Sequence, residues 1–155
     1  MTTQITYGSK TALANNSATN LDTSTATHTL GFGKIAATGA IDYHIHLAIP
    51  VATAATDGDT WDLYLAESHD DTEWSIASPT ATTDQSANLV NGRLIGVYDA
   101  GGTASGSATD HMYFNVGDVV SMIPAYFGFF LKNNTGQTAT VGFDADYIPM
   151  TYATV

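Results

Sequence analysis

"AIDYHIHLAIPV", residues 40–51, alternates without a fault: Ile41, Tyr43, Ile45, Leu47 and Ile49 against Asp42, His44, His46 and Ala48. A period of two over nine residues is the signature of a half-buried strand, with the first set turned inward. "DTWDLYLAES", residues 59–68, repeats it, with Trp61, Leu63 and Leu65 opposite Asp62, Tyr64 and Ala66. Between the two lies a loop carrying Asp-Gly. Working outward, "HDDTEWSIAS" turns sharply and re-enters a short strand at Trp74 and Ile76. "GRLIGVYDA" is a further strand ending in a Gly-rich loop, and "HMYFNVGDVVSMIP" gives two short strands or one broken at Gly117. "YFGFFLK" and "TATVGFDADY" are expected to flank the turn "NNTG" as a hairpin with Ala139, Val141, Phe143, Ala145 and Tyr147 on one face. Thr138, Thr140, Gly142, Asp144 and Asp146 form its wet face.

About eight antiparallel strands with turn signals between them, and no convincing helical period beyond a turn near "TTDQSANLV", predict an all-β chain. The expected architecture is a β-sandwich or jelly roll with an extended N-terminal arm. Two units are expected. Residues 1–30, rich in Thr, Ser, Asn and Ala, hold an arm and a first strand around Ile5–Leu13, and residues 31–155 form a single sandwich. The arm buries too little to be ordered by itself, so it must lie on its own domain or on a neighbour. Its larger apolar residues, Ile5, Tyr7, Leu13 and Leu21, are therefore the candidate protein-interaction residues.

A length of 155 residues suits one domain with its own core. There is no cysteine, hence no disulfide framework and no thiolate metal site. Only 12% of residues are charged, and the net charge of -11 sets 15 carboxylates against Lys10, Lys34, Arg93 and Lys132. Phosphate backbones and anionic lipid surfaces repel such a chain, so neither nucleic acid nor membrane is expected as a partner. The first twenty residues lack the basic and apolar regions of a secretory signal, which points to synthesis in a cytoplasm.

The chemical inventory is short. His44 and His46 lie on one face of a strand, roughly 7 Å apart, a beginning for a metal site. Cupins place histidines this way on a jelly roll, but their pattern asks for a Glu where Pro50 stands. The plainer reading puts both imidazoles on a solvated or interface face, with His28, His69 or His111 as the remaining candidates for a third ligand. Asp57, Asp59, Asp70, Asp71 and Glu73 crowd two loops that can take calcium, although neither has EF-hand spacing and solvated loops are the simpler account. No nucleophile elbow, phosphate loop or His-Glu-x-x-His occurs, so no enzyme, catalytic residue or cofactor is expected. Trp61, Trp74, Tyr64 and Tyr98 are candidates for a sugar platform, with Trp61 in phase with the core instead.

A surface rich in Thr, Ala, Gly and Tyr costs little to desolvate against other protein, and a sandwich has edges that a neighbour can cover. Three stretches strengthen that reading: "DLYLAESHDDTEW", "GRLIGVYDA" and "YFNVGDVVSMIPAYFGFFLKNNTGQ". In pattern and order, over roughly residues 60 to 140, they resemble the head decoration or cement proteins of tailed bacteriophages and related small virion proteins. The resemblance implies a β-sandwich subunit on the virion surface, commonly a homotrimer, that clamps major capsid protein and carries no catalytic residues. The alternative function is a carbohydrate- or receptor-binding module of a phage fibre or tail.

Overall fold

Ten strands fall into two five-stranded sheets in a computed structural model that describes residues 2–13, 28–50, 58–79, 85–86, 89–100, 109–135 and 143–154. The first sheet contains β1 (Thr3–Tyr7), β2 (Thr11–Ala12), β4 (Asp42–Pro50), β8 (Thr109–Asn115) and β10 (Asp144–Thr154). Its order is β1-β10-β4-β8, with β2 also against β10. The second contains β3 (His28–Ala36), β5 (Thr60–Ser68), β6 (Gln85–Ser86), β7 (Arg93–Asp99) and β9 (Tyr126–Asn133), in the order β6-β3-β9-β5-β7. Every pairing is antiparallel. With the two-residue β2 and β6 set aside, each successive strand crosses to the other sheet, except that β7 returns beside β5. That weave is the jelly roll, and the all-β sandwich expected from the alternation is the fold.

The alternation locates the core. Tyr43, Ile45, Leu47 and Ile49 of β4 face Trp61, Leu63 and Leu65 of β5 and Phe127, Phe129 and Leu131 of β9 across the two sheets, all buried. Burial of each such side chain is worth about 1.5–3 kcal/mol. Tyr43 meets Phe127 edge to face, with ring centroids 5.2 Å apart, and its hydroxyl oxygen accepts the Thr38 N–H. Among the described residues these apolar side chains line the space between the sheets, and His44 and His46 lie on the opposite face of β4 from Tyr43, Ile45 and Leu47.

Two expectations need correction. β9 and β10 do not form a hairpin, because they belong to opposite sheets. β9 is apolar on both faces and sits between β3 and β5, while β10 takes β4 on one side and β1 and β2 on the other. The turn begins where expected, with Asn133 Oδ1 accepting from the Thr135 N–H at 2.9 Å, but residues 136–142 lie outside the described residues. Trp74 and Ile76 also form no strand, since Trp74 makes only an isolated bridge to Ser68. Near Gly117, β8 gives way to a single turn of helix, α1 (Val116–Val119). The Asp42 carboxylate accepts the Gly117 N–H there at 2.7 Å, and a side chain at position 117 would collide with it.

The outer face of the second sheet is covered at its centre, while Leu94 and Val97 on the edge strand β7 stay 49% and 57% exposed. Phe130 points away from the core, in register between Gly31 and Tyr64, and is nevertheless fully buried. Pro79 lies against Gly31 and Gly128 beside it, so close that a Cβ on Gly128 would stand 2.4 Å from both the proline ring and the Gly33 carbonyl. Gly33 itself carries the positive φ of 91° that lets β3 bulge at this point.

Candidate functional site

The outer face of the first sheet carries the candidate site. β10, β4 and β8 lie side by side in a register that sets Asp146 opposite His46 and His46 opposite Tyr113. Alternation puts His44 and His46 on this face, and the neighbouring strands add Asp146, His111, Tyr113 and Asn115. His46 Nδ1 is 3.0 Å from Asp146 Oδ2, and His46 Nε2 is 2.9 Å from His111 Nδ1. Lys10, from the connection between β1 and β2, closes the row with Nζ 2.7 Å from the same Asp146 oxygen.

Burial alone would raise the Asp146 carboxyl, whose side chain is 6% exposed. Hydrogen bonds from His46 and Lys10, with the positive charge of Lys10, outweigh it and hold the group below the ordinary carboxylate range. The same hydrogen bond, followed by the charge of Asp146, holds the Lys10 ammonium above its usual range. An ionised carboxylate only accepts, so the proton of neutral His46 sits on Nδ1. Its Nε2 then accepts from the Nδ1–H of His111, and the outermost nitrogen of the row is His111 Nε2.

The sequence pair His44 and His46 does not act together. His44 turns Nδ1 to Asn115 Oδ1 at 2.9 Å, while Asn115 donates to Asp118. Tyr113 lies nearly parallel to both imidazoles, with centroids 4.6 Å from His46 and 6.1 Å from His44. Of the candidate third histidines, His111 is the one beside His46. His69 lies on the turn after β5, and of His28 only the backbone is described.

The N-terminal residues form a second surface. Residues 3–13 run along β10, from Thr3 opposite Thr154 to the Leu13 N–H on the Ala145 carbonyl at 2.8 Å. The first strand is therefore the edge of the sandwich, and the expected boundary at residue 30 does not separate it from the domain. Leu13 is buried in the chain's own core, which removes it from the interaction set, and Leu21 lies outside the described residues. Ile5 and Tyr7 remain on the surface, 47% and 67% exposed, opposite Tyr152 and Met150. Tyr152 is 65% exposed on the same face, and Thr6 and Thr151 join hydroxyls at 3.1 Å on the other. Neither Thr2–Gly8 nor Ile148–Thr154 carries a charge.

At the end of the second sheet, a cleft of about 440 Å³ opens between Glu67, His69 and Glu73 on one wall and Met122, Ile123 and Pro124 on the other. The acidic turn beside it is knitted internally. Asp70 Oδ1 accepts the N–H groups of Thr72 and Glu73, which with the Thr72 side chain drive its carboxyl far below the ordinary range. Asp71 pairs with Lys34. The sugar platform comes apart: Trp61 is fully buried, and burial raises the phenols of Tyr64 and Tyr98. Trp74 gives its indole N–H to the Asp71 carbonyl.

Sequence reasoning missed Lys10 and Tyr113, placed Asp146 only on the wet face of a hairpin, and offered His111 only as one of three histidines that could join the pair. "FDADY" and "DHMYFN" do show Asp146, His111 and Tyr113 as polar members of alternating strands, but nothing in one sequence says that those strands flank residues 42–50. A scan against protein-family models finds no match, and a search among curated proteins finds no similar chain.

Proposed function

We propose that the chain is a virion structural protein, a head decoration or cement subunit of a tailed bacteriophage that binds major capsid protein as a homotrimer. The observation that carries this reading is the ribbon of β1 and the C-terminal half of β10. It is uncharged in a molecule of net charge -11, it ends in a strand edge that no other described strand pairs with, and it presents Ile5, Tyr7 and Tyr152 to the surface. Like-charged copies repel elsewhere, so this neutral apolar ribbon is where one copy meets the next at least cost. Natural sheet edges that stay exposed are usually blunted by Lys or Pro, and "TQITY" has neither. The jelly roll and the three stretches that resemble decoration proteins support the same reading, and the trimer and the capsid partner come from that resemblance.

The test uses phage particles assembled without this chain. Purified protein added to them should co-sediment in saturable amounts and raise the temperature at which they release their DNA. The Ile5→Ser, Tyr7→Ser variant should bind much less at unchanged fold. Absence of binding, with no gain in heat resistance, would overturn the proposal.

A further inference from the structure

We propose that His46 and His111 form a two-imidazole site for one borderline divalent transition-metal cation: Cu2+, Ni2+ or Zn2+. This inference is independent of the assembly reading, since it rests on the outer face of the β10-β4-β8 sheet and on no residue of the ribbon.

The first argument is distance. His46 Nε2 and His111 Nδ1 are 2.9 Å apart. Two nitrogens held at about 2.0–2.1 Å from one ion, at angles between square and tetrahedral, stand about 2.8–3.4 Å apart, so the spacing fits. The nearly parallel rings now aim these nitrogens at each other, and one ring has to turn for both lone pairs to converge on the ion. Both imidazoles come from adjacent strands of one sheet, so their backbones are already fixed. His111 is exposed, so its ring can turn to meet the ion by giving up its hydrogen bond to His46. For the ion to enter, the His111 proton leaves Nδ1 and another is taken up on Nε2 through solvent. That change of tautomer frees both facing lone pairs with no net change in protons.

The second argument is the support behind His46. Asp146, buried and held by Lys10, accepts the His46 Nδ1–H and turns Nε2 outward. A carboxylate behind the far nitrogen of an imidazole is the arrangement that orients histidine ligands and raises their basicity. The third is charge. Asp144 and Asp146 lie on this face within a chain of net charge -11, and the opposing Lys10 is already paired. Imidazole ligands select Cu2+, Ni2+ and Zn2+ over the oxygen-seeking Ca2+ and Mg2+, and water completes the coordination. His44 is excluded by its bond to Asn115.

The experiment titrates chelator-treated full-length protein with CuCl2 at pH 7.5, following heat and the nitrogen hyperfine pattern in electron paramagnetic resonance. One ion per chain with two nitrogen ligands is expected. His111→Ala, an exposed position that leaves the core untouched, should abolish that binding, and His46→Gln should do the same. His44→Ala should bind as the parent does. Asp146→Asn should bind about tenfold more weakly or worse while retaining the two-nitrogen signal. ZnCl2 should displace the copper signal in competition. Failure of the parent chain to bind any of the three ions at millimolar concentration would overturn the proposal. Equal binding by parent and His111→Ala would overturn it as well, by placing the ion elsewhere.

Discussion

The two outer faces of the sandwich start from the same alternation and end differently. On the second sheet the outward Phe130 is fully buried, because residues leading to Pro79 fold back over Gly31 and Gly128. On the first sheet Lys10 and His46 close over the buried Asp146, while the row opens toward β8 and a tyrosine that is 61% exposed. A face that is covered behaves as a second core, whereas one left open is available for binding. Alternation alone assigns both to solvent, so the difference lies in the loops and not in the strands.

That contrast can be broken most severely at Phe130. Phe130→Ala is expected to cost about 3–5 kcal/mol in a denaturant titration, as if it lay between the sheets. Tyr113→Ala, its counterpart on the open face, should cost about 0.5 kcal/mol or less. Equal losses would erase the distinction. Asp146→Asn comes next, at about 1.5–3 kcal/mol near pH 7, because His46 and Lys10 lose a charged acceptor. Its effect should depend on pH in one direction. The folded carboxyl titrates below its ordinary value of 3.8, so its contribution is complete above that value and is lost as the pH falls through the folded pKa. The gap between parent and variant should therefore close as acidification passes through the folded pKa of this carboxyl. Gly128→Ala is expected to lose about 1–3 kcal/mol, since the new methyl meets the Gly33 carbonyl and the Pro79 ring. Lys34→Ala on the exposed pair with Asp71 should change stability by at most about 1 kcal/mol.

How far the sequence could be read follows from the same physics. Residues 43–49 and 61–65 declared their inward faces, because burial on one side imposes a period of two wherever the strand runs. The jelly roll was legible as a class for that reason. Ile41, expected inward with them, lies ahead of β4 and is 36% exposed. Partnership was not: the short span between "YFGFFLK" and "DADY" looks like a hairpin connection, yet β9 is apolar on both faces and is central to the second sheet. Leu13 read as an arm residue because its neighbours are polar, and it proved to be the point where the edge strand enters the core. The site was half legible. His44 and His46 were visible as a same-face pair, but the partner of His46 is 65 residues away and is supplied by register alone.

The central claim is that the uncharged ribbon of β1 and β10 joins this subunit to its neighbours, and native mass spectrometry tests it most directly. The intact chain should appear as a homotrimer. A variant carrying Ile5→Ser, Tyr7→Ser and Tyr152→Ser should appear as a monomer with an unchanged far-ultraviolet spectrum, because none of the three side chains is buried. An intact chain that stays monomeric, or a triple variant that assembles as the parent does, would contradict the account.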